Sequence, residues 1–194
     1  MINWPPRKSD IPNILSITRL ILIPFMVVLF LIPQPWAAWT CLVLYTIASI
    51  SDYLDGYYAR RYSQFSPVGV FLDPIADKLF VASVLLMFTA TGRLTGLWAV
   101  PALLILMREI FIAGLREFLA GKEVKIPVTR LAKWKTGVQM GSMGFIIMYQ
   151  HVTHKLYFSE MVEWIGKTGI LVAMVLTLIT GWNYARNAWP HLKN

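Results

Sequence analysis

Six stretches of this 194-residue chain are apolar for about the twenty residues a helix needs to cross a bilayer's hydrocarbon core. They cover roughly residues 13–32, 36–60, 74–90, 97–118, 131–149 and 162–186. In hydrocarbon no water can satisfy a backbone amide or carbonyl, so only helices and closed barrels span it. Barrel strands alternate apolar and polar at every second residue, and these runs do not. The expectation is an all-α integral membrane protein with six transmembrane helices. It forms a single transmembrane domain over residues 1–194, with residues 1–10 as an interfacial segment carrying Trp4, Pro5, Pro6, Arg7 and Lys8. Only 14% of the residues are charged and 57% are hydrophobic. A soluble domain would carry about a quarter charged, so a soluble globule is excluded.

The formal net charge is +8. In a soluble chain that would raise nucleic acid as a partner. Here the basic residues flank the apolar runs, so membrane topology and anionic lipid account for them and nucleic acid is not expected. Six spans place both termini on one side. Every lysine and arginine falls on that side except Arg93, Lys155 and Lys167. The positive-inside rule therefore turns the termini toward the cytoplasm, across a cell inner (plasma) membrane. Cys41 is the only cysteine, so no intrachain disulfide can form.

Four of the ten acidic residues, Asp52, Asp55, Asp73 and Asp77, fall between Ser51 and Lys78. Asp52 and Asp55 are spaced i, i+3 at the inner end of the second run. Asp73 and Asp77 are spaced i, i+4 at the inner start of the third, so each pair shares a helix face. Structural roles exist for each one alone. Asp73 could cap a helix starting at Pro74. Asp52 and Asp55 could pair with Arg60 or Arg61, and Asp77 with Lys78. Four carboxylates together at a membrane edge repel one another unless cations join them. Two hard divalent ions, Mg²⁺ or Mn²⁺, take oxygen ligands and can clamp the oxygens of a phosphoryl displacement.

Asp52, Asp55, Gly56, Ala59, Arg60, Gly69, Asp73 and Asp77 fit the pattern D-x-x-D-G-x-x-A-R, eight residues, then G-x-x-x-D-x-x-x-D. In this pattern, and in its six-helix layout, the chain resembles the CDP-alcohol phosphatidyltransferase family. The resemblance implies that Asp52, Asp55 and Asp73 bind metal, and that Asp77 binds metal and acts as general base. It implies that Gly56, Ala59 and Arg60 contact the CDP moiety, near the bend Gly69 allows. Asn13, Ser16 and Arg19 resemble the family's N-x-x-T-x-x-R motif, with serine for threonine, and join the CDP-lipid set. Arg19 could otherwise be a snorkelling side chain. A homodimer is also implied.

The second half bears on the acceptor. Arg108 and Arg116 lie on one side of the fourth helix with Ile112 between them, accompanied by Glu109 and Glu117. Lys133 and Lys135 open the fifth. These four cations suit an anionic acceptor and are read as binding its phosphate; Lys133 and Lys135 could instead only obey the topology rule. The stretches MREIFIAGLREF, AKWKTGVQM and DPIADK resemble bacterial members of the family that join CDP-diacylglycerol to glycerol 3-phosphate, giving phosphatidylglycerophosphate and CMP. Alternatives are the same chemistry with inositol phosphate or serine, and a divalent-cation transporter. Transporter sites usually lie near the bilayer midplane, whereas these aspartates lie at helix ends.

Overall fold

The computed structural model describes residues 11–62, 67–124, 126–127, 129–152 and 159–192, with side chains for all of these except 11–15, 52–62, 67–70 and 150–152. The interfacial segment expected at residues 1–10 lies outside them. Six helices follow in order: α1 (Ile11–Leu31), α2 (Pro35–Tyr62), α3 (Pro67–Ala90), α4 (Ala99–Gly121), α5 (Arg130–Val152) and α6 (Ser159–Leu192). A short 3₁₀ turn, Gly96–Trp98, precedes α4. Among the described residues there is no strand.

Two boundaries differ from the sequence reading for physical reasons. The third helix starts at Pro67, not Pro74. Proline at a first helical position forfeits no bond, and Pro67 takes that place. Pro74 sits inside the helix, where it leaves the Val70 carbonyl without its usual amide donor. Asp73 is therefore not a cap. The sixth helix runs on to Leu192, with Pro190 in its last turn. At 34 residues it is ~50 Å long, beyond the ~30 Å hydrocarbon thickness, so its ends reach past the apolar slab.

The chain divides into two compact units, Met1–Met87 and Phe88–Asn194. In the first, α1 packs against α2, and Met26, Phe30, Ala37, Ala38 and Cys41 are buried. Tyr45 of α2 stacks on Phe80 of α3, with ring centroids 5.5 Å apart and planes 18° from parallel. Along α2 the hydroxyls of Thr40, Thr46, Ser49 and Ser51 each donate to the carbonyl four residues back. A hydroxyl satisfied by its own helix can sit beside lipid without an orphaned donor.

In the second unit α6 packs against both α4 and α5. Small residues permit this. A Cβ at Gly166 would meet the Ile146 side chain at 2.7 Å, and one at Gly169 would overlap Ser142. Ala173 and Thr177 continue the close face, both fully buried. Close backbone approach over small residues is how helices associate where lipid gives no hydrophobic drive. The outward faces carry Phe25, Val28, Val43, Leu103 and Phe111, all exposed. The segments Gly96–Gly121 and Ser159–Leu192 each contain an 18-residue stretch apolar enough to cross a bilayer, with mean hydropathy 1.8 and 1.7 over those stretches. Apolar side chains of this size facing outward fit acyl chains and not water. The chain is an all-helical membrane protein.

Candidate active site

The first group of site residues lies in the first unit. Asp52, Asp55, Gly56, Ala59 and Arg60 are on the last three turns of α2, Gly69 on the first turn of α3, and Asn13 on the first turn of α1. The side chains of these seven lie outside the described residues, so only their helical placement stands. Asp73 and Asp77 follow on α3, one turn apart and both partly open to the surroundings. Ser16 of α1 is fully buried, and its hydroxyl donates to Asp73 Oδ1. That bond ties α1 to α3 at the first carboxylate. Arg19, one turn further along α1, is 2% exposed. A snorkelling arginine carries its head out to water. Arg19 does not.

Asp77 Oδ2 lies 2.8 Å from Lys78 Nζ, with each side chain about one-third exposed, at 30% and 33%. An ion pair this open is weak and readily exchanged. Among the described residues no group of three or more His, Cys, Asp or Glu gathers to hold a metal. Asp52 and Asp55 lie outside that set. Carboxylate oxygens alone, with no nitrogen or sulfur donor, are the ligand type that hard divalent ions prefer, so Asp73 and Asp77 fit such an ion chemically.

The second group builds an open pocket within the second unit. Arg108, Ile112 and Arg116 of α4 form one wall, and Thr180, Asn183, Tyr184 and Asn187 of α6 form another. Pro127, Thr129 and Ala132 line the side where the chain enters α5. The Arg116 guanidinium sits 5.7 Å from the Tyr184 ring centroid, a cation–π contact. Arg108 donates from Nη1 to Glu109 Oε1 and from Nη2 to Thr180 Oγ1, both at 3.0 Å.

Glu109 is 5% exposed and also accepts from Lys135 Nζ. Lys135 is thus buried in an ion pair and does not line the pocket, whereas Lys133 is exposed. Of the four cations expected to serve the acceptor, two line one pocket, one joins Arg108 through a shared carboxylate, and Lys133 is not among the residues lining it. The α6 wall was missed in the sequence. Its signal was there: Thr180, Asn183, Tyr184 and Asn187 recur at i, i+3, i+4 and i+7, a polar stripe on one face of α6.

Comparison with known proteins defines the class. A family model for CDP-alcohol phosphatidyltransferase matches residues 9–182, a span that takes in Asn13 to Asp77 and the basic residues of α4 and α5. The chain belongs to the CDP-alcohol phosphatidyltransferase family. Among curated relatives, a CDP-diacylglycerol–glycerol-3-phosphate 3-phosphatidyltransferase of Cereibacter sphaeroides is 38% identical, over 100% of this chain and 99% of that protein. Proteins of the same name are 38% identical in Rickettsia bellii, over 91% of this chain and 93% of the relative, and 36% identical in Pseudomonas fluorescens, over 95% and 92%.

Proposed function

We propose that this chain transfers the phosphatidyl group of CDP-diacylglycerol to sn-glycerol 3-phosphate, giving phosphatidylglycerophosphate and CMP. The observation that carries the reading is a pocket lined by two arginines, in a chain similar over its whole length to enzymes named for that acceptor. An uncharged alcohol gains nothing from two guanidiniums, whereas a phosphate monoester accepts their N–H groups as a matched fork.

The chain's own groups then divide the work. Gly56, Ala59 and Arg60, with Asn13, Ser16, Arg19 and Gly69, seat the CDP-lipid. Asp77 takes the proton of the glycerol 1-hydroxyl as that oxygen attacks the phosphorus bearing the diacylglycerol. The bond from that phosphorus to CMP breaks, and Arg60 steadies the departing phosphate. Two divalent ions, Mg²⁺ or Mn²⁺, held by Asp52, Asp55, Asp73 and Asp77, would supply the positive charge that the pyrophosphate and the leaving CMP require. Arg108, Arg116, Lys133 and Lys135 serve the acceptor's phosphate, Arg108 and Arg116 by facing the pocket and Lys135 through Glu109.

The whole chain acts as one membrane domain of six spans. Its termini and active site face the cytoplasm at the inner membrane, and it forms a homodimer. The distribution of lysine and arginine and the family's layout support this arrangement. The purified chain, in mixed micelles with CDP-diacylglycerol, should release CMP with glycerol 3-phosphate and not with serine or inositol phosphate. Equal CMP release with another acceptor would overturn the acceptor assignment. Cation flux into liposomes lacking CDP-lipid would instead point to a transporter.

A further inference from the structure

We propose that Glu109, Thr180 and Gly181 are positioning residues that fix the Arg108 guanidinium for the acceptor's phosphate, an inference that rests on the glycerol 3-phosphate reading above. Arg108 is rooted on α4 but reaches across to α6. A Cβ on Gly181 would lie 2.9 Å from both Cγ and Nε of Arg108 and 3.5 Å from Cδ. Side-chain carbons do not approach that closely, so the missing side chain at Gly181 is the notch in which the arginine stem lies.

The head is fastened at two points. Glu109 Oε1 accepts from Nη1, and Thr180 Oγ1 accepts from Nη2. The Thr180 hydroxyl can accept because its own proton is directed to the Leu176 carbonyl at 2.8 Å. A guanidinium has five N–H groups. Two are used here, so donors remain for a ligand.

Glu109 does not cancel the pocket's charge. It is one carboxylate between Arg108 and Lys135, so the trio keeps a formal charge of +1. A long side chain held in its binding conformation beforehand loses less entropy when the ligand arrives. The arrangement thus fixes direction and leaves charge over.

The test is steady-state kinetics of the full chain in mixed micelles, with melting temperature measured for every variant. Arg108→Ala, Gly181→Ala, Glu109→Gln, Thr180→Val and Thr180→Ser are compared, each of the Gly181 and Glu109 changes also in the Arg108→Ala background. Gly181→Ala and Glu109→Gln should each raise KM for glycerol 3-phosphate about ten-fold, the effect of misplacing one charged hydrogen bond, with kcat and KM for CDP-diacylglycerol within about two-fold. Thr180→Val should shift the same KM, and Thr180→Ser should restore it. In the Arg108→Ala background the Gly181 and Glu109 changes should add nothing further.

Additive effects, or unchanged KM values beside an Arg108→Ala that does raise KM, would overturn the positioning role while leaving the pocket reading intact. An Arg108→Ala with unchanged KM would overturn the pocket reading and the positioning role with it. If Glu109→Gln fails to fold, Gly181→Ala and Thr180→Val decide the matter.

Discussion

Asp73 and Asp77 in the first unit stand partly open, one accepting from Ser16 and the other beside a partly exposed Lys78. In the second unit Glu109 is buried between Arg108 and Lys135, and Arg108 is pinned again at Thr180. The acids are lightly held and the cations are firmly held. A carboxylate meant for a divalent ion or a proton must be able to let its resting partner go, and a one-third exposed ion pair costs little to exchange. An arginine meant for an anion gains from being aimed beforehand, and buried charges tolerate that only when counter-charges accompany them. The two halves of one phosphoryl transfer thus call for opposite treatment of charge.

The largest expected break in this contrast is at Asp77. Asp77→Asn keeps the shape and removes the basic oxygen. CMP release should fall by about 10²–10⁴-fold, the range general-base catalysis supplies, while the variant still extracts and melts like the parent. A loss of less than about ten-fold would take the proton-accepting role away from it.

The placement of Asp73 and Asp77 one turn apart on one helix was legible from the sequence because a short spacing needs no knowledge of distant contacts. The helices were legible for a similar reason: length and apolarity are local properties, and the bilayer removes the alternatives. The start of α3 was misread because Asp73-Pro74 has the form of a cap followed by a first-turn proline. Pro67 had the same claim one loop earlier and takes it. The α6 wall of the pocket was not read at all. Arg108 and Thr180 are 72 residues apart, and only the packing of α4 on α6 brings them together. Gly181 reads in sequence as a weak helix residue. Its purpose appears only with the arginine lying over it.

A smaller effect sharpens the contrast at its lightly held end. Ser16→Ala deletes the hydroxyl donated to Asp73. One hydrogen bond to a charged acceptor is worth ~1.5–3 kcal/mol at most, and a partly open carboxylate can recover some of it from water, so kcat should fall by a few-fold up to about ten-fold. Ser16→Thr keeps the hydroxyl and should retain most of the parent's rate. If Ser16→Ala were as damaging as Asp77→Asn, Asp73 would be no less firmly held than Arg108, and the contrast between the units would dissolve.

The most direct measurement is the divalent-ion dependence of CMP release from the full chain, stripped with EDTA and supplied with CDP-diacylglycerol and glycerol 3-phosphate. Stripped protein should be inactive, Mg²⁺ or Mn²⁺ should restore it, and Asp73→Asn should stay inactive at cation concentrations that saturate the parent. Full CMP release from stripped protein, or a parent-like cation response in Asp73→Asn, would contradict the assignment of the aspartates.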